Sequence, residues 1–189
     1  MMHFTNVTKI KNMKLYIEPP ERTFSGLFSD EVYAEAIRGF VIDCTDFVAI
    51  NRERRTLLLP KRIVESAIGI WRFGGRRRAG ESMQDSCVRI AMREIGLTLA
   101  PERFTYVNTT DNMWAWRLQE PKEAGCHTII HLHSIELTPE ELQIATARLN
   151  SKEYDVSFGI QEFYYADLLK ANVRPQILDM YTSIFGSAS

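Results

Sequence analysis

The sequence predicts an α/β protein in which a mixed β-sheet lies between helices. Residues 40–50 and 127–136 are rich in β-branched and aromatic residues and have the length of strands. Between them, residues 83–95 contain neither Gly nor Pro and follow Ser82, a good helix N-cap, while Gly96 is placed to end the helix. Strands and helices that alternate in this way favour a sheet covered by helices.

The other elements follow in chain order from similar patterns. Residues 13–18 predict a strand that ends before two prolines, and residues 29–37 predict a short helix. Further strands are predicted where aromatic and β-branched residues cluster, at 56–59, 103–109, 113–117 and 161–166. Further helices are predicted at 139–149 after a capping box, at 167–171, and at 175–185 after a proline.

Length and composition indicate one globular domain. The chain has 189 residues, of which 45% are hydrophobic and 25% charged, as in ordinary globular proteins. Its net charge of −1 gives no general attraction to nucleic acid, so no nucleic-acid partner is expected. The three cysteines form no C-x-x-C pair, which suggests reduced thiols. Without an apolar run of about 20 residues or a signal-peptide core, we expect a cytoplasmic protein with no membrane partner.

The most informative segment is 75–97, GRRRAGESMQDSCVRIAMREIGL. It sets Gly75, Glu81, Arg89, Glu94 and Gly96 at fixed intervals. The glycines at its start suit a tight loop, and the loop leads directly into the predicted helix.

One face of that helix is unusual for a metal-binding helix. Positions 90, 93 and 94 share a face because they are three and four residues apart. Three carboxylates there would suit several Mg²⁺ ions, but this chain has Ile90 and Arg93 beside Glu94. The face therefore predicts at most one Mg²⁺.

The spacing within 75–97 resembles the Nudix box, the signature of enzymes that hydrolyse a nucleoside diphosphate linked to another group. The usual pattern is G-x5-E-x7-R-E-U-x-E-E-x-G-U, where U is a bulky aliphatic residue, and Ile90 and Arg93 replace two of its glutamates. The stretches SDEVYAEAIRG, TDFVAIN, LLLPKR, GIWRFGGR and RIAMREIGL occur in the order seen in GDP-mannose mannosyl hydrolases. That divergent Nudix branch has the same two glutamates replaced.

The resemblance implies a Nudix α/β/α sandwich with a central mixed sheet. It covers 27–94 with good specificity and extends more weakly to about 137, so residues 27–186 are expected to form a single Nudix-like domain after an extension of residues 1–26. Because members of the branch form dimers, a homodimer is expected.

The implied reaction cleaves a nucleotide sugar at the sugar carbon, releasing GDP and free sugar with the help of Mg²⁺ or Mn²⁺. The resemblance places metal ligands at Gly74, Glu94 and Glu81. It assigns substrate contacts to Asp46, Arg62, Arg76 and His127. Catalytic roles fall to Arg76, whose guanidinium would reach the diphosphate, and to Arg89, which would orient the loop by pairing with Glu81.

The general base is where this chain departs from the family. The family's metal-binding Gln and catalytic His have Ser157 and Phe158 as ungapped counterparts, and neither can do that chemistry. A gap would bring in Asp155 or Glu153, and we assign the base to Asp155. The alternative is a catalytically impaired Nudix-fold module that binds a nucleotide sugar without turning it over.

Three further features have two interpretations each. On a strand, His127, His131 and His133 share one side, where they either bind Zn²⁺ or form local hydrogen bonds. The cluster at 52–55 is either a solvated surface or a phosphate site, whereas Arg72 with Arg76–Arg78 favours phosphate contact. Trp71 is expected to anchor the glycine loop.

Overall fold

The computed structural model describes residues 8–10, 13–15 and 28–187. Its strands are β1 Thr8–Ile10, β2 Met13–Leu15, β3 Ile42–Asn51, β4 Thr56–Arg62, β5 Gly69–Ile70, β6 Phe73–Arg76, β7 Thr105–Trp114, β8 Cys126–Glu136 and β9 Ile160–Phe163. Its helices are α1 Asp30–Gly39, α2 Met83–Ile95, α3 Pro139–Ala147, α4 Tyr165–Lys170 and α5 Pro175–Phe185. None of the described helices is long and apolar enough to cross a membrane.

Strand β3 is the centre of a seven-stranded mixed sheet. It runs parallel to β8 on one side, and β7 pairs antiparallel with the far edge of β8. On its other side β3 has two antiparallel partners: β6 pairs with Cys44–Phe47 and β4 with Ala49–Asn51. Strands β5 and β9 extend the sheet from β4. Separately, β1 and β2 form a two-stranded antiparallel pair.

Helices cover both faces of the sheet because successive β3 side chains alternate in direction. Phe47 and Ala49 pack with apolar residues of α2 and α3, whereas Val48 and Ile50 pack with those of α4 and α5. The predicted α/β/α sandwich with a central mixed sheet is therefore confirmed.

Helix α2 forms where the sequence predicted it. Ser82 and Asp85 make a reciprocal capping box at its start, and Gly96 ends it in the left-handed region with φ of 66°. Ile90 is completely buried, so the position that holds a glutamate in the usual box contributes to the core here.

Two predicted strands in the second half were misplaced. Residues 103–109 and 113–117 were expected as separate strands, but one strand, β7, spans Thr105–Trp114. The polar residues 110–112 continue the strand because all three pair with β8. The strand predicted at 161–166 ends at Phe163, because Asp167 accepts a hydrogen bond from the Tyr164 N–H and begins α4. Of the strand predicted at 13–18, residues 16–18 lie outside the described residues.

Candidate functional site

A cleft of about 190 Å³ opens on the sheet face that also carries α4 and α5. Its floor is formed by alternate residues of β3 and β8, and its walls by β6, α1 and two loops. The residues that line it include Tyr33, Asp46, Arg62, Glu65, Gly74, Gly75, Arg76, Trp114, Arg117 and Thr128. The tight loop predicted at the first glycines is wrong, because Gly74 and Gly75 lie in β6 and pair with β3, and the loop before α2 is formed by residues 77–82. The cleft brings this glycine pair together with the central strands.

Two charged side chains lie close to the glycine pair of β6, and the tighter contact is at Gly74. In the β3–β6 pair, Gly74 lies opposite Asp46, and a Cβ at Gly74 would fall 1.8 Å from an Asp46 carboxylate oxygen. A Cβ at Gly75 would fall 2.9 Å from Nη2 of Arg93. Any larger residue would displace one of these charged groups.

Asp46 lies at the cleft and is held by a buried ion pair. Nε of Arg72 donates to Oδ2 of Asp46 at 2.8 Å, and both side chains are almost completely buried. Burial raises the pKa of Asp46, and Arg72 opposes that effect. The phosphate contact expected of Arg72 is wrong, because its guanidinium is buried and pairs with Asp46 inside the protein.

Arg62 and Arg76, both predicted to bind substrate, line the cleft together with the glycine pair. The Arg76 guanidinium carbon lies 3.5 Å from the ring centroid of Tyr33, and Arg76 makes no ion pair with a carboxylate of the described residues. Arg62 donates from Nη2 to Glu153 at 3.1 Å and to the Glu65 carbonyl at 3.3 Å. Within the described part of the chain its buried Nε has no partner.

Arg89 of α2 holds the end of β6 and the loop that follows it. It donates from Nε and Nη2 to the two Glu81 oxygens at 2.5 and 2.8 Å, and from Nη2 to the Arg76 carbonyl at 3.0 Å. Partial burial raises the pKa of Glu81, but the bonds from Arg89 and from the Arg78 N–H hold that pKa below its ordinary value. Both Glu81 oxygens are thus engaged in positioning the loop, and not directed to a metal.

The other two predicted metal ligands lie together, and an arginine binds both. Arg93 donates from Nε to the carboxylate of Glu94 and from Nη2 to the carbonyl oxygen of Gly74 at 2.9 Å. Asn150 donates to the second Glu94 oxygen at 3.2 Å. Burial raises the pKa of Glu94, an effect that Arg93 opposes.

The donor set at this point does not fit a Mg²⁺ or Mn²⁺ ion held by the protein. It has one carboxylate and one carbonyl, and Arg93 brings a fixed positive charge to both. Among the residues that the structure describes, no group of three or more His, Cys, Asp or Glu side chains could hold a metal.

Asp155, the residue assigned as base, has a structural role instead. Its Oδ1 accepts from the Ser157 hydroxyl at 2.5 Å and from two backbone N–H groups, and Lys61 lies 3.6 Å from its other oxygen. The bond from Ser157 is the main reason that the pKa of Asp155 is lowered. Asp155 is not among the residues that line the cleft, so the structure does not bring it together with Arg62 and Arg76. Glu153, the alternative, pairs with Arg62 at the cleft wall.

His127 also lies away from the cleft. Thr128 and Ile130 of β8 line the cleft, so alternation places His127, His131 and His133 on the opposite face. His127 pairs with Asp111 at 2.5 Å, and His131 contacts Thr109 at 2.8 Å and Asp43 at 3.2 Å. The structure therefore does not bring His127 together with the cleft residues, and its contacts favour the interpretation as a face of local hydrogen bonds over a Zn²⁺ site.

Further arginines are engaged in structure. Arg77 pairs with Asp43, on the face of β3 opposite the cleft. In the cluster at 52–55, Arg52 and Arg54 pair with Glu136 and Glu162, and Arg55 donates to the Phe185 carbonyl at 2.5 Å. These contacts favour the surface interpretation of that cluster.

Three cleft residues were missed at the level of sequence. Tyr33 comes from α1 and stacks on Arg76, which helical periodicity of α1 alone does not reveal. Arg117 is only 1% exposed and donates to three backbone carbonyls of the 119–121 loop. Glu65 lines the cleft and makes no ion pair with a cation of the described residues. No local motif marks any of the three, because the tertiary fold brings them together.

Solved structures with the same architecture are Nudix hydrolases. A Nudix hydrolase from Nitrosomonas europaea superposes with a TM-score of 0.52 at 15% identity, over 77% of this chain and 88% of that chain. A MutT Nudix hydrolase from Burkholderia pseudomallei superposes with a TM-score of 0.54 at 15% identity, over 79% of this chain and 99% of that chain. No protein-family profile matches the chain, and no curated protein sequence matches it. The chain therefore has the Nudix fold.

Proposed function

We propose that this protein is a Nudix hydrolase that acts on a nucleotide sugar. The observation that carries the proposal is the presence of Arg62 and Arg76 in one cleft beside the Gly74–Gly75 pair. Guanidiniums with free N–H donors suit a diphosphate because their planar fork matches phosphate oxygens. The Nudix hydrolases of similar architecture support a hydrolytic reaction.

The resemblance to GDP-mannose mannosyl hydrolases supports attack at the sugar carbon, with release of GDP and free sugar. Negative charge then develops on the departing diphosphate, where Arg62 and Arg76 would stabilise it. The cleft volume of about 190 Å³ is small for a whole drug-sized ligand, so it would enclose the diphosphate and the group beside it.

Glu65 is the residue we propose as the base for water. It lines the cleft on the loop that follows Arg62, and it makes no ion pair with a described cation. Glu153 is less suited because Arg62 already binds it at 3.1 Å. The resemblance also implies Mg²⁺ or Mn²⁺, but the residues at Gly74 and Glu94 do not fit such an ion, so no step is assigned to a metal.

The second candidate is a module that binds a nucleotide sugar without turnover. It is favoured by the state of the two buried carboxylates near the glycine pair, Asp46 and Glu94, each of which is paired with an arginine. A binding module needs the arginines of the cleft but no base.

Purified protein incubated with a panel of nucleotide sugars separates these functions. The panel includes GDP-mannose. Each nucleotide sugar is incubated with Mg²⁺, with Mn²⁺ and with EDTA, and the products are separated by chromatography. Release of nucleoside diphosphate and free sugar supports the hydrolase, and in ¹⁸O-labelled water the label should appear on the sugar. Label on phosphate would overturn attack at carbon, and binding without turnover would establish the module.

A further inference from the structure

Glu94 is a buried carboxylate that needs a positive charge beside it. Its side chain is only 1% exposed, although it belongs to a helix whose outer face meets solvent. An ionised carboxylate in such a place is costly unless it is paired and hydrogen-bonded. One of its oxygens accepts from Asn150, a neutral group, so the charge must be balanced at the other oxygen.

Arg93 supplies that charge and bonds a second oxygen at the same time. Its Nε reaches Glu94, the next residue of α2, while its Nη2 reaches the Gly74 carbonyl on β6 at 2.9 Å. A carboxylate oxygen and a carbonyl oxygen that converge on one point are ligands of the kind that hard divalent cations take. Here the Arg93 guanidinium occupies the position between these two oxygens.

The surrounding backbone leaves room for the arginine. Nη2 of Arg93 would be 2.9 Å from a Cβ at Gly75, so the guanidinium lies directly against the glycine pair. The end of the Arg93 side chain is close to solvent, since 45% of that side chain is exposed. Removal of its guanidinium would therefore open a path from solvent to the two oxygens.

We infer that Arg93 serves as a built-in cation that takes the place of a divalent metal ion between Glu94 and the Gly74 carbonyl. The wild-type chain then has no tight divalent site at this point, and its fold around α2 and β6 needs no metal. Loss of Arg93 would leave two oxygens without a cation, and a carboxylate at position 93 would add a third ligand. This inference concerns cation binding alone and does not depend on the substrate proposed above.

Mn²⁺ titration followed by electron paramagnetic resonance tests the inference on the whole chain. Wild type is compared with Arg93→Ala and Arg93→Glu. The expected result is no tight Mn²⁺ site in wild type and one Mn²⁺ site in each variant. The dissociation constant of that site should be at least about 10-fold lower than that of any weak Mn²⁺ binding by wild type, and it should be lowest in Arg93→Glu. Adding Glu94→Gln to either variant should abolish the new site.

Arg38→Ala is the matched control. It also deprives a helix glutamate of its arginine, because Arg38 pairs with Glu35 at 3.3 Å, but 74% of the Glu35 side chain is exposed. It should create no Mn²⁺ site, since a solvated carboxylate binds a single cation weakly. Equal gains in Arg38→Ala and Arg93→Ala would show that any unpaired carboxylate suffices and would overturn the inference.

Wild type alone can also refute the inference, whatever the variants do. One tight Mn²⁺ site in wild type that Glu94→Gln removes would show that a metal displaces Arg93. Thermal unfolding gives a second reading if Arg93→Glu folds poorly. Mg²⁺ should raise the Tm of Arg93→Ala but leave that of wild type unchanged, because a cation stabilises only a fold that binds it. If Mg²⁺ raised the Tm of wild type and Glu94→Gln abolished that rise, the inference would be contradicted.

Discussion

Nε of Arg72 lies 2.8 Å from Oδ2 of Asp46 in a buried ion pair, and Asp46 lies opposite Gly74 of β6. The same carboxylate fills the space that a side chain at Gly74 would need. The pair therefore fixes the path of β6 past β3, and with it the position of the residues that line the cleft.

Asp46→Asn is expected to destabilise the protein by roughly 3–5 kcal/mol, because it leaves the Arg72 charge buried without its counter-charge. Urea denaturation monitored by circular dichroism measures this loss. Glu35→Gln makes the same chemical change in an exposed pair and should cost less than about 1 kcal/mol. Similar losses in the two variants would mean that Asp46 and Arg72 are not coupled as a buried pair.

Arg76→Gln is expected to lower kcat by on the order of 10- to 1000-fold while weakening substrate binding much less. The reason is that the charge on the departing diphosphate is larger in the transition state than in the bound substrate. Steady-state kinetics with separate determination of kcat and KM shows the split. Arg77→Gln is the control, since Arg77 pairs with Asp43 on the other face of the sheet. A rise in KM alone for Arg76→Gln would assign Arg76 to binding only.

Glu65→Gln is expected to reduce kcat by about 10²- to 10⁴-fold, because an amide cannot take a proton from water. Binding of the substrate should change little, which isothermal titration calorimetry can measure. Asp155→Asn serves as the comparison, since Asp155 folds a turn and does not line the cleft. If Asp155→Asn abolished turnover and Glu65→Gln did not, the base would lie where the sequence first placed it.

His133 should make stability fall between neutral pH and about pH 4. Burial lowers its pKa from 6.5 to about 4 in the folded protein. The unfolded chain therefore takes up this proton first, so stability present above pH 6.5 is lost as the pH falls and levels off near pH 4. Over that window the loss is on the order of 3 kcal/mol.

His133→Phe keeps a ring beside Tyr106 but cannot titrate. The difference in unfolding free energy between wild type and the variant should shrink or reverse in favour of the variant from pH 7 to pH 4.5. His131, whose carbonyl accepts from the His133 ring, and Asp43, which pairs with His131, are common to both proteins. Parallel pH profiles for the two proteins would contradict the assignment of this titration to His133.

A homodimer is expected from the resemblance, and two exposed apolar side chains support a place for its interface. Phe40 is 71% exposed and Met113 is 82% exposed, and both line one groove beside α1. Either residue changed to Glu should weaken the dimer in sedimentation equilibrium. Val156→Glu alters another exposed apolar residue outside this groove and should have no effect. A monomeric wild type at micromolar concentration would refute the expectation.

The fold was largely predictable because its signals are local. Helix α2 needs only Ser82, Asp85, Gly96 and its own apolar face, all of which are neighbours in sequence. Strand alternation likewise indicated that His127, His131 and His133 share one side of β8. The errors at β7 and β9 arose where polar or aromatic residues fit two structures, and long-range pairing decided between them.

The sequence by itself determined helix α2 with its caps, and the family resemblance indicated the Arg89–Glu81 pair and the nearness of Glu94 to the Gly74 carbonyl. Only the tertiary structure decided which charges are free. Sequence spacing cannot show that Arg72 pairs with Asp46 or that Arg93 lies between Glu94 and Gly74. Nor can it show that His127 lies away from the cleft that Arg76 lines. Charged side chains find partners that are distant in sequence, and the cost of burying an unpaired charge determines which partners they keep.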